Sequence, residues 1–155
     1  MLKVVEVDLL DFDADIIAHQ VNCQGAFNSG VARAIRKYDE SIYLKYSEHC
    51  KKRSANQLIG TVQYCRGSAD NRIFANFFAL KYYGYDKKQY TNTEALKKCL
   101  INLKAVALDG GYSIALPYKI GCVRGGADWD EVYRMIKEIF EETNIDVTLC
   151  KYDKG

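Results

Sequence analysis

Segments with the hydrophobic pattern of β-strands alternate with segments that have the pattern of helices along most of this chain. The second half reads strand, helix, strand, helix, strand over residues 72–80, 91–108, 113–116, 128–143 and 146–152. The first half adds strand patterns at 4–7, 16–21 and 59–65 and helix patterns at 30–38 and 41–50. The sequence therefore predicts a three-layer α/β/α fold, in which helices cover both faces of a mixed, mostly parallel sheet of about six strands.

Signals for helix ends support the two strongest helix predictions. Thr91 or Asn92 is expected to cap the helix at 91–108, and Glu94 would complete a capping box with Thr91. The pair Gly110–Gly111 is expected to end that helix. Asp128 is expected to cap the helix at 128–143.

The length of the chain limits the class of protein. It has 155 residues, the size of one domain, and we expect residues 1–155 to form a single domain. No uncharged run reaches the roughly 18 apolar residues that a membrane span needs. The N-terminal residues contain no signal-peptide core. We therefore expect a cytoplasmic protein, without membrane association and monomeric.

The charge and the cysteines argue against two further classes. The net charge is only +2 and the one dense basic cluster is at 51–53, so direct nucleic-acid binding is not expected. The six cysteines form no C-x-x-C pair, so a zinc ribbon is not expected either. In a cytosolic chain these cysteines are free thiols, and we expect neither a metal site nor a cofactor.

Two glycine-containing loops follow strand patterns and open helix patterns. The first loop covers residues 22–30 (NCQGAFNSG), and the second loop covers residues 121–127 (GCVRGGA). Ligands bind beyond the carboxyl ends of strands in open α/β sheets, helix N-termini attract anions, and glycine lets the backbone approach a phosphate. Two such loops at one edge of a sheet would hold a diphosphate from both sides. Each loop could instead be only a tight connection between a strand and a helix.

The loops match neither of two common nucleotide-binding fingerprints. The sequence has no G-x-x-x-x-G-K-[ST], which disfavours a P-loop kinase or ATPase. It also has no G-x-G-x-x-G after the first strand, which disfavours a Rossmann dehydrogenase.

Several motifs together resemble the macrodomain family of ADP-ribose-binding modules. They are residues 7–10 (VDLL), 17–25 (IAHQVNCQG), 29–32 (SGVA), 116–122 (LPYKIGC) and 125–129 (GGADW), with 90–96 (YTNTEAL) and 145–149 also in place. The branch that they resemble contains the terminal ADP-ribose glycohydrolase and the ADP-ribose 1''-phosphate phosphatases. The resemblance implies a macrodomain-like fold that binds ADP-ribose or an ADP-ribosylated macromolecule. A nucleic acid would be bound only if it were ADP-ribosylated.

The resemblance also implies which residues contact the ligand. Asp8, followed by Leu9, would accept a hydrogen bond from the adenine amino group, although Asp8 could be only a turn carboxylate. The distal ribose and one phosphate would be held by Asn22, Gln24, Gly25, Ser29, Gly30, Val31 and Ala32. The other phosphate would be held through backbone N–H groups of the second loop, which comprises Gly121, Cys122, Val123, Arg124, Gly125, Gly126 and Ala127. Pro117 and Ile120, just before that loop, would also line the ligand site.

The sequence departs from the family at the catalytic positions. The glycohydrolase relative pairs a lysine with an aspartate in the second loop. Lys81 lies within one residue of the lysine position, although Leu80 could align there equally well, and Gly125 stands at the aspartate position. His19 matches a histidine of the phosphatase relatives and is a residue type suited to proton transfer, although it could instead be an inert core histidine. Asp128 is the third candidate, although it could serve only as a helix cap.

Two functions therefore remain open. In the first, the protein binds ADP-ribose and hydrolyses an ADP-ribose derivative, removing either a linked ADP-ribose or the terminal phosphate of ADP-ribose 1''-phosphate. In the second, it is a non-catalytic reader or scavenger of ADP-ribose. A general acid or base near the distal ribose would distinguish the two, and His19, Lys81 and Asp128 are the candidates.

Overall fold

The computed structural model describes residues 1–27, 30–82, 89–123 and 125–152, which form a six-stranded sheet with helices on both faces. The strands are β1 (Leu2–Glu6), β2 (Ile16–Asn22), β3 (Val62–Arg66), β4 (Ile73–Leu80), β5 (Ile114–Pro117) and β6 (Val147–Lys151). The helices are α1 (Gly30–Tyr38), α2 (Glu40–Lys51), α3 (Ala55–Leu58), α4 (Thr93–Gly110) and α5 (Trp129–Phe140), with a 3₁₀ turn at Leu9–Asp11. The predicted three-layer fold is confirmed.

The sheet is mixed and mostly parallel, as predicted. Its strand order is β1-β6-β5-β2-β4-β3, and only β3 runs antiparallel to its neighbour. Ile16 of β2 pairs with Ile73 of β4 on one side and with Ile114 of β5 on the other. Because five strands are parallel, their carboxyl ends lie along one edge of the sheet, called the carboxyl edge below.

Two apolar layers lie on opposite faces of the sheet, and β2 contributes to both. Its residues Ile16 and Ala18 pack towards α4 and α5, whereas Ile17 and Val21 pack towards α1 and α2. The helices complete the layers with Leu96, Leu100, Leu103, Val132, Ile136 and Phe140 on one face and with Ile35, Ile42, Tyr46 and Leu58 on the other. Burial on both faces explains why the central strands are almost continuously apolar.

The ends of α4 are confirmed in part. Asn92 caps the helix by accepting the backbone N–H three residues on at 3.1 Å, and Gly111 ends it with φ +67°. The capping box predicted for Thr91 and Glu94 is wrong, because α4 begins at Thr93. The hydroxyl of Thr91 donates instead to the carbonyl oxygen of Gly121.

The two shortest helical elements, α3 and the 3₁₀ turn, were not predicted from the sequence. Ser54 and Gln57 form a capping box that starts α3, so β3 begins at Val62 rather than at residue 59. Asp8 starts the 3₁₀ turn after β1. All six cysteines are free thiols, as predicted. Within the described ranges, the helices are too short or too polar to cross a lipid bilayer.

Candidate functional site

Four connections meet at the carboxyl edge. Asp8 follows β1, the first loop follows β2, Lys81 follows β4, and the second loop follows β5. Since β2 and β5 are adjacent parallel strands, the first and second loops are neighbours, as the sequence predicts. Ser29 and Arg124, both predicted to bind the ligand, lie outside the described residues.

Asp8 and Leu9, which follow β1 at the carboxyl edge, have different roles. One carboxylate oxygen of Asp8 accepts the N–H of Leu10 at 3.1 Å, and the side chain is partly exposed. Its other oxygen accepts no hydrogen bond from the described part of the chain, so it could accept one from a ligand. Leu9 is buried and packs in the layer beneath α1 and α2. The structure therefore gives Leu9 a packing role.

The first loop is folded by the side chain of Asn22. Its Oδ1 accepts the N–H groups of Gln24 at 2.9 Å and Ala26 at 3.2 Å, while its Nδ2 donates to the oxygen of Ala26 at 2.8 Å. Tyr46 of α2 donates its hydroxyl to the carbonyl oxygen of Asn22 at 2.6 Å. Asn22 was predicted to hold the ligand, but its amide oxygen is already fully engaged. The residue shapes the loop that would hold a ligand.

Glycine and an aromatic residue complete the first loop. Gly25 has φ +82°, a conformation that favours glycine, and a Cβ there would lie 3.8 Å from the Cβ of Cys50. Phe27 is buried and packs against the rings of His19 and Tyr46. The loop therefore rests on a fixed apolar base, while the side chain of Gln24 is exposed above it.

The start of α1 faces the same edge. Gly30 has φ +59°, and a Cβ placed on it would meet no atom of the described residues within 4 Å. Val31 and Ala32 are half-buried and pack against the apolar layer below. The first N–H groups of a helix have no partner within the helix. These predicted residues therefore offer backbone donors to an anion in open space.

The second loop is entered through two consecutive tight turns. The N–H of Ile120 donates to the oxygen of Pro117 at 3.1 Å, and the N–H of Cys122 donates to the oxygen of Lys119 at 2.9 Å. Lys119 has φ +62°, although it is not glycine. Ile120 is buried against α4 and α5. Pro117 and Ile120 thus anchor the loop, although they were predicted as ligand contacts.

The rest of the second loop closes on itself through the backbone. The N–H of Ala127 donates to the oxygen of Gly121 at 3.1 Å, and Ala127 is buried. Gly121 and Gly126 have φ +79° and +71°. Gly126 is exposed, and its N–H donates to no atom of the described residues. Val123 is exposed, at 79%. The described residues of this loop therefore present mainly backbone donors.

Two residues that were not among the predicted site residues, Gln20 and Thr91, support the second loop from below. The hydroxyl of Thr91 donates to the oxygen of Gly121 at 2.8 Å, and Gln20 donates to that hydroxyl at 2.8 Å. The N–H groups of Tyr90 and Thr91 both donate to the oxygen of Gly125, at 2.7 and 2.9 Å. The one local signal for Gln20 is a polar residue within an apolar strand pattern. Thr91 gives only the signal of a helix cap.

The same contacts explain why residue 125 is glycine. A Cβ on Gly125 would lie 1.8 Å from the hydroxyl oxygen of Thr91 and 2.5 Å from the oxygen of Gly121. Both distances are far below van der Waals contact, so this loop conformation has no room for a side chain. The aspartate of the glycohydrolase relative could therefore not stand here without moving the loop.

His19 is buried on the face of the sheet covered by α1 and α2. Its Nε2–H donates to Oδ1 of Asn76 at 2.7 Å, because the amide nitrogen of Asn76 donates to Gln63 at 3.1 Å. Its Nδ1 has no partner among the described residues. Burial lowers the pKa of His19 from 6.5 to about 4, although the hydrogen bond to Asn76 raises it. This geometry matches the core-histidine alternative and does not support the predicted proton transfer.

Lys81 lies directly beside the first loop. Its backbone oxygen accepts the N–H of Cys23 at 3.3 Å, and its Nζ donates to Oδ1 of Asn56 in α3 at 2.6 Å. No carboxylate oxygen of the described residues forms an ion pair with its Nζ. The catalytic role of Lys81 stays a prediction, and within the described ranges it has no acidic partner.

Asp128 caps α5 at the end of the second loop. One of its carboxylate oxygens accepts the N–H of Asp130 at 3.1 Å, and the side chain is exposed. The predicted cap is confirmed. The catalytic role proposed for Asp128 stays a prediction, because the capping bond engages only one of its two oxygens.

The thiols of the two loops are poor nucleophiles. Burial raises the pKa of Cys23 to about 11, with the Cys50 thiol adding to the shift. Burial also raises the pKa of Cys122 to about 11, with Asp128 adding to it. Both side chains therefore remain protonated near neutral pH.

Comparison with solved structures shows the same architecture in several proteins. The macrodomain of Thermus aquaticus DarG has a TM-score of 0.80 and 26% sequence identity, covering 99% of this chain and 98% of that one. The macrodomain of Mycobacterium tuberculosis DarG has a TM-score of 0.83 and 22% identity, covering 100% and 99%. Thermosipho africanus DarTG in complex with ADP-ribose has a TM-score of 0.78 and 19% identity, covering 97% of this chain and 41% of that one.

A shorter sequence match links the chain to an enzyme. Over 43 residues, or 28% of this chain, it is 44% identical to the ADP-ribose 1''-phosphate phosphatase of Meyerozyma guilliermondii, and the match spans only 25% of that protein. The family model of the Macro domain matches residues 18–136. Because this model covers most of the chain and the fold agrees over nearly its whole length, the chain belongs to the Macro domain family.

Proposed function

We propose that this protein binds ADP-ribose along the carboxyl edge of its sheet. The observation that carries the proposal is the pair of neighbouring loops after β2 and β5, which are built from glycines and backbone donors. A loop of this kind at the end of a parallel strand suits a phosphate group. Two adjacent loops suit a diphosphate.

The first side of the diphosphate would face the start of α1. Gly30, Val31 and Ala32 carry N–H groups that the helix does not use, and the positive end of the helix dipole lies at the same place. Space is open around Gly30. The adjoining first loop, held by Asn22, would border the distal ribose.

The second side would face the second loop. The oxygens of Gly121 and Gly125 are engaged by donors from below, so they do not repel an anion above. The exposed Gly126 has an N–H that donates to no atom in the described ranges. Backbone N–H groups recognise a phosphate without any charged side chain.

The adenine end would lie near Asp8. This residue follows β1, two strands away from β5 in the sheet, and one of its oxygens is available to accept a hydrogen bond. A carboxylate oxygen is a suitable acceptor for the adenine amino group. The ligand would therefore extend along the edge from β1 towards β2 and β4.

Calorimetric titration with ADP-ribose tests the proposal. We expect a dissociation constant of about 1 µM or lower, equivalent to about −8 kcal/mol or a more favourable value. Asp8→Ala should weaken binding by about 1–3 kcal/mol, because it leaves the adenine amine unpaired. Asp8→Asn keeps an acceptor and the cap of the 3₁₀ turn and should lose less. The absence of binding by the folded wild-type protein would contradict the proposal, and unchanged affinity in Asp8→Ala would remove Asp8 from the site.

A second candidate function is hydrolysis of an ADP-ribose derivative, either an ADP-ribosylated macromolecule or ADP-ribose 1''-phosphate. Its support is the partial match to an ADP-ribose 1''-phosphate phosphatase. Among the three predicted catalytic residues, Lys81 lies beside the first loop, Asp128 lies beside the second, and His19 is buried beneath the first. Among the described residues no carboxylate pairs with Lys81, and His19 is buried beneath the first loop, so the geometry supports binding more strongly than catalysis.

Incubation with each substrate separates the two functions. Release of phosphate from ADP-ribose 1''-phosphate, or of ADP-ribose from a conjugate, would establish hydrolysis. If Lys81 acts as a nucleophile on the sugar, borohydride should trap an adduct in the wild type and in Lys51→Ala, a matched lysine on the surface of α2, but not in Lys81→Ala. Tight ADP-ribose binding without turnover of any of these substrates would instead support the non-catalytic reader.

A further inference from the structure

The side chains of Thr91 and Gln20 lie beneath the second loop and are linked to each other. Gln20 donates through Nε2 to the Thr91 hydroxyl at 2.8 Å, and that hydroxyl donates to the oxygen of Gly121 at 2.8 Å. Thr91 is buried, with 3% of its surface exposed. Because the hydroxyl accepts from Gln20, its single proton is directed to Gly121.

We propose that Thr91 and Gln20 are positioning residues that hold the second loop ready for a phosphate. The inference rests on the proposed function, in which this loop binds one phosphate of ADP-ribose. Neither side chain is assigned a contact with the ligand. The Thr91 hydroxyl acts on the peptide group of Gly121, and the backbone N–H groups of Tyr90 and Thr91 hold the peptide group of Gly125 beside it.

The peptide group between Gly125 and Gly126 is held in one orientation. The oxygen of Gly125 accepts N–H groups from Tyr90 and Thr91 at 2.7 and 2.9 Å. In a trans peptide the N–H points opposite to the carbonyl. The N–H of Gly126 is therefore directed away from Thr91, towards the open side of the loop, where Gly126 is exposed.

Gly125 packs so closely against Thr91 and Gln20 that no side chain fits at this position. A single added carbon at this residue would lie 1.8 Å from the Thr91 oxygen and 2.9 Å from Nε2 of Gln20. The amide oxygen of Gln20 is buried and has no partner in the described ranges. Among the described residues, the bond to Thr91 is the one hydrogen bond of the Gln20 side chain, and the two side chains act as a pair.

Thr91→Val tests the pair, because valine keeps the shape of threonine and removes the hydroxyl. The matched control is Thr143→Val. Thr143 likewise donates its hydroxyl to a backbone carbonyl, that of Phe140 at 2.8 Å, but at the end of α5. Thr91→Ser restores the hydroxyl. Each variant would be titrated with ADP-ribose, and amide exchange would be measured without ligand.

Thr91→Val should weaken ADP-ribose binding by about 3- to 10-fold, the equivalent of one hydrogen bond. It should also speed amide exchange at Ala127 and Tyr90, whose N–H groups bond to the two glycine oxygens. Thr91→Ser and Thr143→Val should bind like the wild type. Thr143→Val should lose comparable stability, which separates positioning of the loop from general stabilisation.

The outcomes distinguish this inference from the proposed function. If the wild type binds no ADP-ribose, the proposed function fails, while faster exchange at Ala127 in Thr91→Val would still show that the pair holds the loop. If the wild type binds and Thr91→Val binds equally well, the positioning role is overturned. An equal loss of affinity in Thr91→Val and Thr143→Val would also overturn it.

Discussion

The two loops at the carboxyl edge both contain glycines in left-handed conformations but are held by different means. The first loop is folded by a residue of its own, Asn22, which makes three hydrogen bonds to residues two and four positions ahead. The second loop is held by Gln20 and Thr91, and their contacts span 71 and 30 positions in the sequence. One loop carries its own support, whereas the other depends on the assembled fold.

This difference has a consequence for ligand binding. The first loop can keep its shape through local bonds, as asparagine does in turns. The second loop has a local backbone bond from Ala127 to Gly121, but its further support comes from Gln20 of β2 and from Tyr90 and Thr91 before α4. We therefore expect the second loop to be the more sensitive of the two to substitutions that do not touch the ligand.

Gly125→Ala should have the largest effect on stability, because it removes the close fit between the second loop and Thr91. Overpacking costs up to about 3 kcal/mol, and a lost hydrogen bond adds about 1 kcal/mol, so we expect unfolding to become easier by about 4 kcal/mol. The added carbon collides with both Thr91 and the oxygen of Gly121. Urea denaturation and ADP-ribose titration measure the two consequences.

Gly111→Ala is the matched control for that substitution. Gly111 ends α4 with φ +67°, but a Cβ there would meet no atom within 4 Å. Its cost should therefore be only the conformational term of about 1–2 kcal/mol, with ADP-ribose affinity unchanged. Equal losses of stability in the two alanine variants would show that the second loop can move to accommodate a side chain at residue 125, and that Thr91 and Gln20 do not hold it rigidly.

The fold was predictable because its signals are local. Apolar periodicity located the six strands, and glycine and aspartate marked the end of α4 and the start of α5. The exceptions are short. The helix α3 covers only Ala55–Leu58, which is too short to show a helical period, and it displaced the start of β3.

The site was predictable only in outline, for the same reason. The glycines of both loops and Asp8 are visible as local motifs, and the order of the strands brings them to one edge. The roles of Gln20 and Thr91 are not visible, because the partners of each lie far away in the sequence. His19 resembled a catalytic residue in its motif, but its burial depends on α1 and α2 packing over β2.

Acid should lower the free energy of unfolding by protonating His19, which packs against Phe27 of the first loop with ring centroids 5.4 Å apart. Its pKa is lowered by burial from 6.5 to about 4 in the folded protein. Between these values the unfolded chain binds a proton that the folded chain does not. Stability is therefore fully present above pH 6.5 and declines as the pH falls towards 4.

Urea denaturation at pH 7.5 and 4.5 measures this effect. The shift of His19 should remove about 2–3 kcal/mol between these two pH values. His19→Gln can still donate to Asn76 but has no proton to bind, so its loss should be smaller by that amount. His49, whose pKa is lowered by burial and by Arg53, remains in both proteins and cancels. Identical pH dependence in the two proteins would show that His19 does not titrate as a buried residue.

Tyr46→Phe should have the smallest effect and tests whether the first loop supports itself. The substitution removes the hydroxyl that bonds to the carbonyl oxygen of Asn22 at 2.6 Å and to its Oδ1 at 3.0 Å, and it leaves the packing of the ring on Phe27 intact. We expect a loss of about 1 kcal/mol in the free energy of unfolding. Tyr64→Phe, which removes an exposed hydroxyl bonded to Asn102 at 2.7 Å, is the control and should lose less.

The affinity for ADP-ribose decides what the Tyr46 result means for the comparison. The three bonds made by the Asn22 side chain remain in Tyr46→Phe, so the loop should keep its conformation and the affinity should change less than about 3-fold, which is under 1 kcal/mol. A larger loss would mean that the first loop needs α2 as much as the second loop needs Thr91. Both loops would then depend on tertiary contacts, and the distinction between local and remote support would not hold.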